Sequence, residues 1–265
     1  MESKFACQHC GLCCSRVSLD VKEVASDTNR ITAFPSFAKN GFVLFCNKPS
    51  LPLFDWEAEK LLHLAKKNNL SLTIVPYQAV YDKKSKRAII LQYTFLEKDC
   101  PFHSNNRCSM YLSRQLICRS FPSVNGGLAN LLTDKLHIRV SGCPNDLDKK
   151  EWENLCRENP GKLKFIKSQL ERYGDSYLAK LELDRMQLDL NRIMKELIDA
   201  GKIEVVDAHF KPEIVLKIIQ QAKQVPVTVF LQEMGLMDSE STKELIASIY
   251  EYKWAKAIVE KWLFV

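Results

Sequence analysis

The chemistry of this 265-residue chain is concentrated in its thiols. Cys7-Gln8-His9-Cys10-Gly11-Leu12-Cys13-Cys14 places four of them in eight residues. A C-x-x-C loop is a short spacing that lets two sulfurs reach one metal or cluster, with the intervening N–H groups turned toward them. Gly11 permits the sharp turn that passes the chain to the next thiol. Repeated as C-x-x-C-x-x-C, the run matches the bacterial ferredoxin pattern, which a remote Cys followed by Pro completes. Cys100-Pro101 and Cys143-Pro144 both offer that completion. Packing is a common role for buried thiols, but it accounts poorly for four in so short a run.

A second block follows the same logic. Cys100-Pro101-Phe102-His103, Cys108-Ser109-Met110-Tyr111 and Cys118-Arg119-Ser120-Phe121-Pro122 put three cysteines in 19 residues, interleaved with Arg107 and Arg114. Arg114 and Arg119 are candidates to bind around the cofactor, donating to cluster sulfurs or offsetting thiolate charge. A solvated surface is the competing reading. Tyr111 and Phe121 read as packing residues. His9 and His103 could serve as ligands, but with thiolates so numerous the favoured reading makes them hydrogen-bonded neighbours of the site.

The context of the thiols restricts their chemistry. All ten cysteines lie in the first 156 residues, and the last 109 have none. Met1-Glu2-Ser3-Lys4-Phe5-Ala6-Cys7 has no apolar core of a signal peptide, so a cytoplasmic protein with reduced thiols is expected. Adjacent Cys13 and Cys14 also pair poorly with each other in ordinary disulfide geometry. No stretch approaches the roughly 20 apolar residues of a membrane span. The whole net charge of +6 sits with the cysteines, because residues 157–265 hold 17 basic and 17 acidic side chains. The densest basic run, Lys83-Lys84-Ser85-Lys86-Arg87, reads as a hairpin turn, so a nucleic-acid partner rests on the net charge alone and is not expected; the charge reads instead as an offset to thiolates.

The elements that must position these residues divide the chain in two. A cysteine-rich α+β domain over 1–158 is expected to be stapled by metal, with a helical C-terminal domain over 162–265. In the first, helices are expected over about 20–30 and over 56–68, the latter capped by Asp55. A short strand is expected at 42–46 and a hairpin at Leu72–Tyr81 and Arg87–Leu96, where β-branched and aromatic residues flank the charged turn. Leu128–Val140 reads as a strand pair and 149–158 as a helix. Asn159-Pro160-Gly161 breaks the pattern. Apolar residues at helical spacing then run from Leu178 to Leu197 and end at Gly201, a suitable glycine after a helix. Further helices are expected over 212–223, about 226–236 and 239–262.

The two cysteine blocks together carry a resemblance. The pattern resembles the YkgJ-like cysteine-cluster family, the CxxCxxCC zinc- or iron-chelating domain. That family shows C-x-x-C-G-x-C-C near its start and later C-x-I-Y-x-x-R-P-x-x-C-R-x-F-P. Cys108-Ser109-Met110-Tyr111, Arg114 and Cys118-Arg119-Ser120-Phe121-Pro122 follow it almost position for position. The chain departs at Gln115, where the family usually has Pro, and by one extra residue between Arg114 and Cys118. The resemblance covers roughly residues 5–145. It implies Cys7, Cys10, Cys13, Cys14, Cys100, Cys108, Cys118 and Cys143 as metal ligands, and leaves Cys46 and Cys156 as packing residues.

Eight thiols allow two Cys₄ zinc sites, one [4Fe–4S] cluster with spare thiols, or two clusters. Zinc usually takes two close C-x₂₋₄-C pairs, and only Cys7 and Cys10 supply a clean one. The C-x-x-C-x-x-C run and the Cys-Pro dipeptides favour iron–sulfur. The resemblance extends distantly to flagellin lysine N-methylases, which implies, as one alternative, a protein lysine N-methyltransferase using S-adenosylmethionine. A zinc-stapled module that binds a partner protein is the competing class. The chain shows no strand–GxGxxG–helix unit, and Asn125-Gly126-Gly127 is too weak to count as a cofactor loop.

Overall fold

The computed structural model describes residues 45–46, 51–97, 99–105, 107–123, 128, 143, 146–158, 161–205 and 212–263. The expected helix over 20–30 and the cysteine run at 7–14 lie outside the described residues. Within them the chain forms two compact units. One takes in His103–Leu188 and the chain from Lys243 on; the other runs up to Phe102 and includes Asp189–Thr242. Each therefore draws on both the cysteine-rich and the helical parts of the sequence. The architecture is α+β, with a predominantly helical C-terminal region.

The second of these units is built on a four-stranded sheet of order β1-β2-β3-β6, from β1 (Phe45–Cys46), β2 (Ile74–Asp82), β3 (Arg87–Phe95) and β6 (Lys223–Pro226). The β2–β3 hairpin is the expected one, paired from Ile74↔Phe95 to Asp82↔Arg87 with an irregularity at Gln78. β3 is central, and its run Ala88-Ile89-Ile90-Leu91 is buried on both faces, as a strand covered on two sides must be. Ala79, Ala88 and Ile90 pack on Ile219 of helix α6 (Pro212–Gln221). Helices α1 (Asp55–Lys67) and α7 (Val227–Glu233) also pack against β3.

Two expectations for this unit are corrected. β6, parallel to β3 from Arg87↔Lys223 to Ile90↔Pro226, lies where the sequence predicts one helix followed by another. Four residues are too few to show a period, and Pro226 is tolerated because an edge strand need not donate on its outer side. Asp55 does not cap α1. The N-cap is Phe54, whose N–H donates to Glu57 Oε2 at 3.1 Å. Asp55 instead accepts from Thr228, through its N–H at 3.1 Å and its hydroxyl, at the start of α7.

The other unit begins with a two-stranded ladder, β4 (His103–Ser104) and β5 (Arg107–Cys108), followed by a 3₁₀ turn over Tyr111–Ser113 and helix α2 (Leu116–Ser120). Then come α3 (Lys149–Glu158), α4 (Lys162–Tyr173), the first half of α5 (Asp175–Asp199), the end of α8 (Ser239–Tyr250) and α9 (Lys253–Leu263). A capping box starts α3: Asp148 Oδ1 accepts from the Glu151 N–H and Glu151 Oε2 from the Asp148 N–H, both at 2.8 Å. Gly174, at φ +52°, separates α4 from α5.

The single helix expected over 239–262 is two, because Tyr252 takes a left-handed φ of +56° and ends the first. The new N-terminus is satisfied by buried Glu182, whose Oε1 accepts the Ala255 N–H at 2.9 Å. Leu128 is helical where a strand pair was expected, and its N–H donates to Asp184 Oδ2 at 2.8 Å. The rest of that expected pair lies outside the described residues.

Candidate metal centre

Three of the expected ligands belong to one compact unit: Cys108 in β5, Cys118 in α2, and Cys143 ahead of α3. All three are half-buried, as is Cys100. Half-burial suits a ligand thiol, since it limits solvent access without placing the sulfur in an entirely apolar core.

Cys108 is fixed by the β4–β5 ladder, in which His103 stands opposite Cys108 and Ser104 opposite Arg107. Asn105, in the turn between them, takes φ +49°, a left-handed value that Asn tolerates better than most residues. Met110, just beyond Cys108, is buried and anchors the chain's exit. The Ser113 N–H returns to the Met110 carbonyl at 2.9 Å and closes the 3₁₀ turn.

Arg119 fixes the segment between Cys108 and Cys118. Its Nε donates to the Arg114 carbonyl at 2.8 Å and Nη2 to the Leu112 carbonyl at 3.1 Å. Nη1 reaches the Tyr252 hydroxyl at 3.4 Å, and the guanidinium lies 4.9 Å from the Tyr250 ring centre. One planar cation thus ties together two backbone carbonyls and two aromatic rings, in a fork geometry Lys cannot supply. Arg114 donates from Nε to the Tyr111 carbonyl at 3.0 Å and stacks over the Tyr111 ring at 4.0 Å. Both arginines hold the shape of the loop that carries the thiols.

Cys143 is positioned through its carbonyl, which accepts the Asp146 N–H at 3.0 Å. The Asp146 carboxylate is buried. It accepts from the Tyr173 hydroxyl and from the Leu147 N–H at 2.8 Å, and Arg172 Nε lies 3.6 Å away. Burial and the bond to Asp146 hold the Tyr173 phenol well above its ordinary range. Trp152 of α3 stacks on Tyr173 with ring centres 6.1 Å apart. No periodicity or motif signals that α4 braces Cys143; the local hint is the turn-forming Asn145-Asp146 pair after Cys143-Pro144.

Other sequence candidates fall elsewhere. Cys46 lies in β1 opposite Gln78. Cys156 is a free thiol in α3, and burial raises its pKa. Cys7, Cys10, Cys13 and Cys14 lie outside the described residues. Among the described residues, no group of three or more His, Cys, Asp or Glu is arranged to hold a metal ion. No described helix is long and apolar enough to cross a membrane.

The donor set fits a thiolate-bound metal. The thiols are half-buried, and each sits on a turn or short element fixed from outside. No curated protein and no solved structure matched the chain. A family model did: the CxxCxxCC "putative zinc- or iron-chelating domain" matches residues 6–157, more than half of the chain. The chain belongs to the CxxCxxCC zinc- or iron-chelating family.

Proposed function

We propose that the chain is a metal-binding protein in which cysteines of the first 143 residues hold an iron–sulfur cluster of the [4Fe–4S] type. The observation that carries this is the match of residues 6–157 to a zinc- or iron-chelating family, combined with Cys108, Cys118 and Cys143 on separately braced elements of one unit. The ferredoxin-like C-x-x-C-x-x-C spacing of Cys7, Cys10 and Cys13 supports iron–sulfur over zinc. Cys14, Cys100, Cys108, Cys118 and Cys143 are the further thiols available to complete the centre. When bound, the cluster supplies cross-linking of distant segments and an electron-accepting group. The protein's part is to keep the thiol-bearing segments oriented and partly shielded, through the Arg119 fork and the Asp146 brace.

The test is a combined assay of iron, zinc and acid-labile sulfide on protein purified without oxygen. About four irons and four sulfides per chain are expected, with a brown colour. Stoichiometric zinc without sulfide would overturn the cluster and leave a zinc-stapled domain. Absence of every metal would overturn the metal-binding reading altogether.

A further inference from the structure

His103 holds an unsatisfied buried polar atom next to the thiol-bearing ladder. Its Nε2 is closed off from solvent and meets no hydrogen-bond partner among the described residues. A neutral imidazole has one donor and one acceptor nitrogen, and a buried nitrogen of either kind is costly to leave unmade. The ladder register places His103 directly opposite Cys108. Directly opposite residues send their side chains to the same face, with Cβ atoms about 4.5–5.5 Å apart. That spacing lets one metal ion bridge a sulfur and a ring nitrogen. His103 and Cys108 are five residues apart in the chain, so one short hairpin carries both.

We propose that His103 Nε2 is a metal ligand, so that the β4–β5 hairpin supplies one nitrogen and one sulfur to the centre. This rests on the metal-binding reading and refines its ligand set from all-thiolate to mixed. The shared chemistry suits either metal: zinc accepts three thiolates and an imidazole, and iron–sulfur clusters accept imidazole in place of thiolate. Binding requires the proton on Nδ1, leaving the Nε2 lone pair for the metal, and Cys108 as thiolate, whose proton is released to solvent. Substitution of thiolate by neutral imidazole makes the centre less negative. In a cluster, that raises the reduction potential.

The experiment compares the full chain with H103A and H103C, each loaded with the metal found in the native protein. X-ray absorption at the metal edge reads the ligand shell. For a reduced cluster, pulsed electron paramagnetic resonance reads a ¹⁴N coupling, and redox titration reads the potential. The native protein is expected to show one imidazole. H103C is expected to keep the metal, lose the imidazole signature and, for a cluster, titrate at lower potential; H103A is expected to lose metal faster to a chelator. A metal-loaded native protein with a sulfur-only shell overturns the ligand proposal alone. So does an imidazole that persists in H103C, which would point to another histidine. A chain that binds no metal after anaerobic loading with zinc or with iron and sulfide overturns both the ligand proposal and the reading beneath it.

Discussion

At the scale of single residues, the thiols separate into two kinds. Cys118 and Cys143 sit on positions braced from outside, whereas Cys156 lies along α3 with its pKa raised by burial. Cys118→Ser and Cys143→Ser are expected to lose most of the bound metal, and Cys156→Ser to keep it, as read by metal analysis of each purified variant. Equal retention in all three would break the distinction. The raised Cys156 pKa has a defined sign. Its small contribution to folding is present below the ordinary thiol range and lost as pH rises through the folded value. Alkylation of Cys156 in the folded protein should lag behind that in the unfolded chain, by a factor that shrinks at high pH.

At the scale of elements, short polar anchors do what hydrophobic periodicity cannot. Asp146 links Cys143 to Tyr173 and Arg172 of α4. Asp146→Ala removes hydrogen bonds to a buried charge, so it should cost about 2 kcal/mol in stability and accelerate metal loss to a chelator. A variant that unfolds earlier but holds metal normally would show that Cys143 does not depend on this brace. In the other unit, Asp82 accepts from the N–H groups of Lys84, Ser85 and Glu204 and from the Ser85 hydroxyl. Burial alone would raise its pKa, but these bonds outweigh it and hold the carboxyl below its ordinary value. Its contribution is therefore present above the ordinary aspartate range and lost as pH falls through the lowered value. Thermal unfolding of Asp82→Asn should start about 1–2 kcal/mol less stable at neutral pH and show a flatter decline toward acid than the native protein.

Legibility also differs by element. The β2–β3 hairpin and α1 were readable because alternation or helical spacing persists over nine or more residues. β6, the β4–β5 ladder and the break at Tyr252 were not, since two to four residues carry no period and a left-handed tyrosine has no sequence signature. The cysteines announced the chemistry of the site, but not the side chains that hold them. Asp146, Tyr173 and Tyr252 act through tertiary contacts across 27 and 133 residues of sequence.

At the scale of the whole molecule, the family match ends at residue 157, yet the unit containing Cys108, Cys118 and Cys143 continues through Leu188 and resumes at Lys243. Arg119 reaches Tyr250 and Tyr252, and Asp146 reaches α4. A chain cut after residue 158 should therefore fail to retain metal, although every cysteine is still present. Stripping the metal from the full chain should lower its unfolding temperature, because ligand binding to the folded state stabilises by mass action. The most direct measurement is the mass of the full chain by native mass spectrometry, repeated after acid unfolding. The expected result is a native mass above the sequence mass by a metal ion or a cluster, with the excess released on unfolding. A native mass equal to that of the bare chain, from protein prepared without oxygen or chelator, would contradict the account.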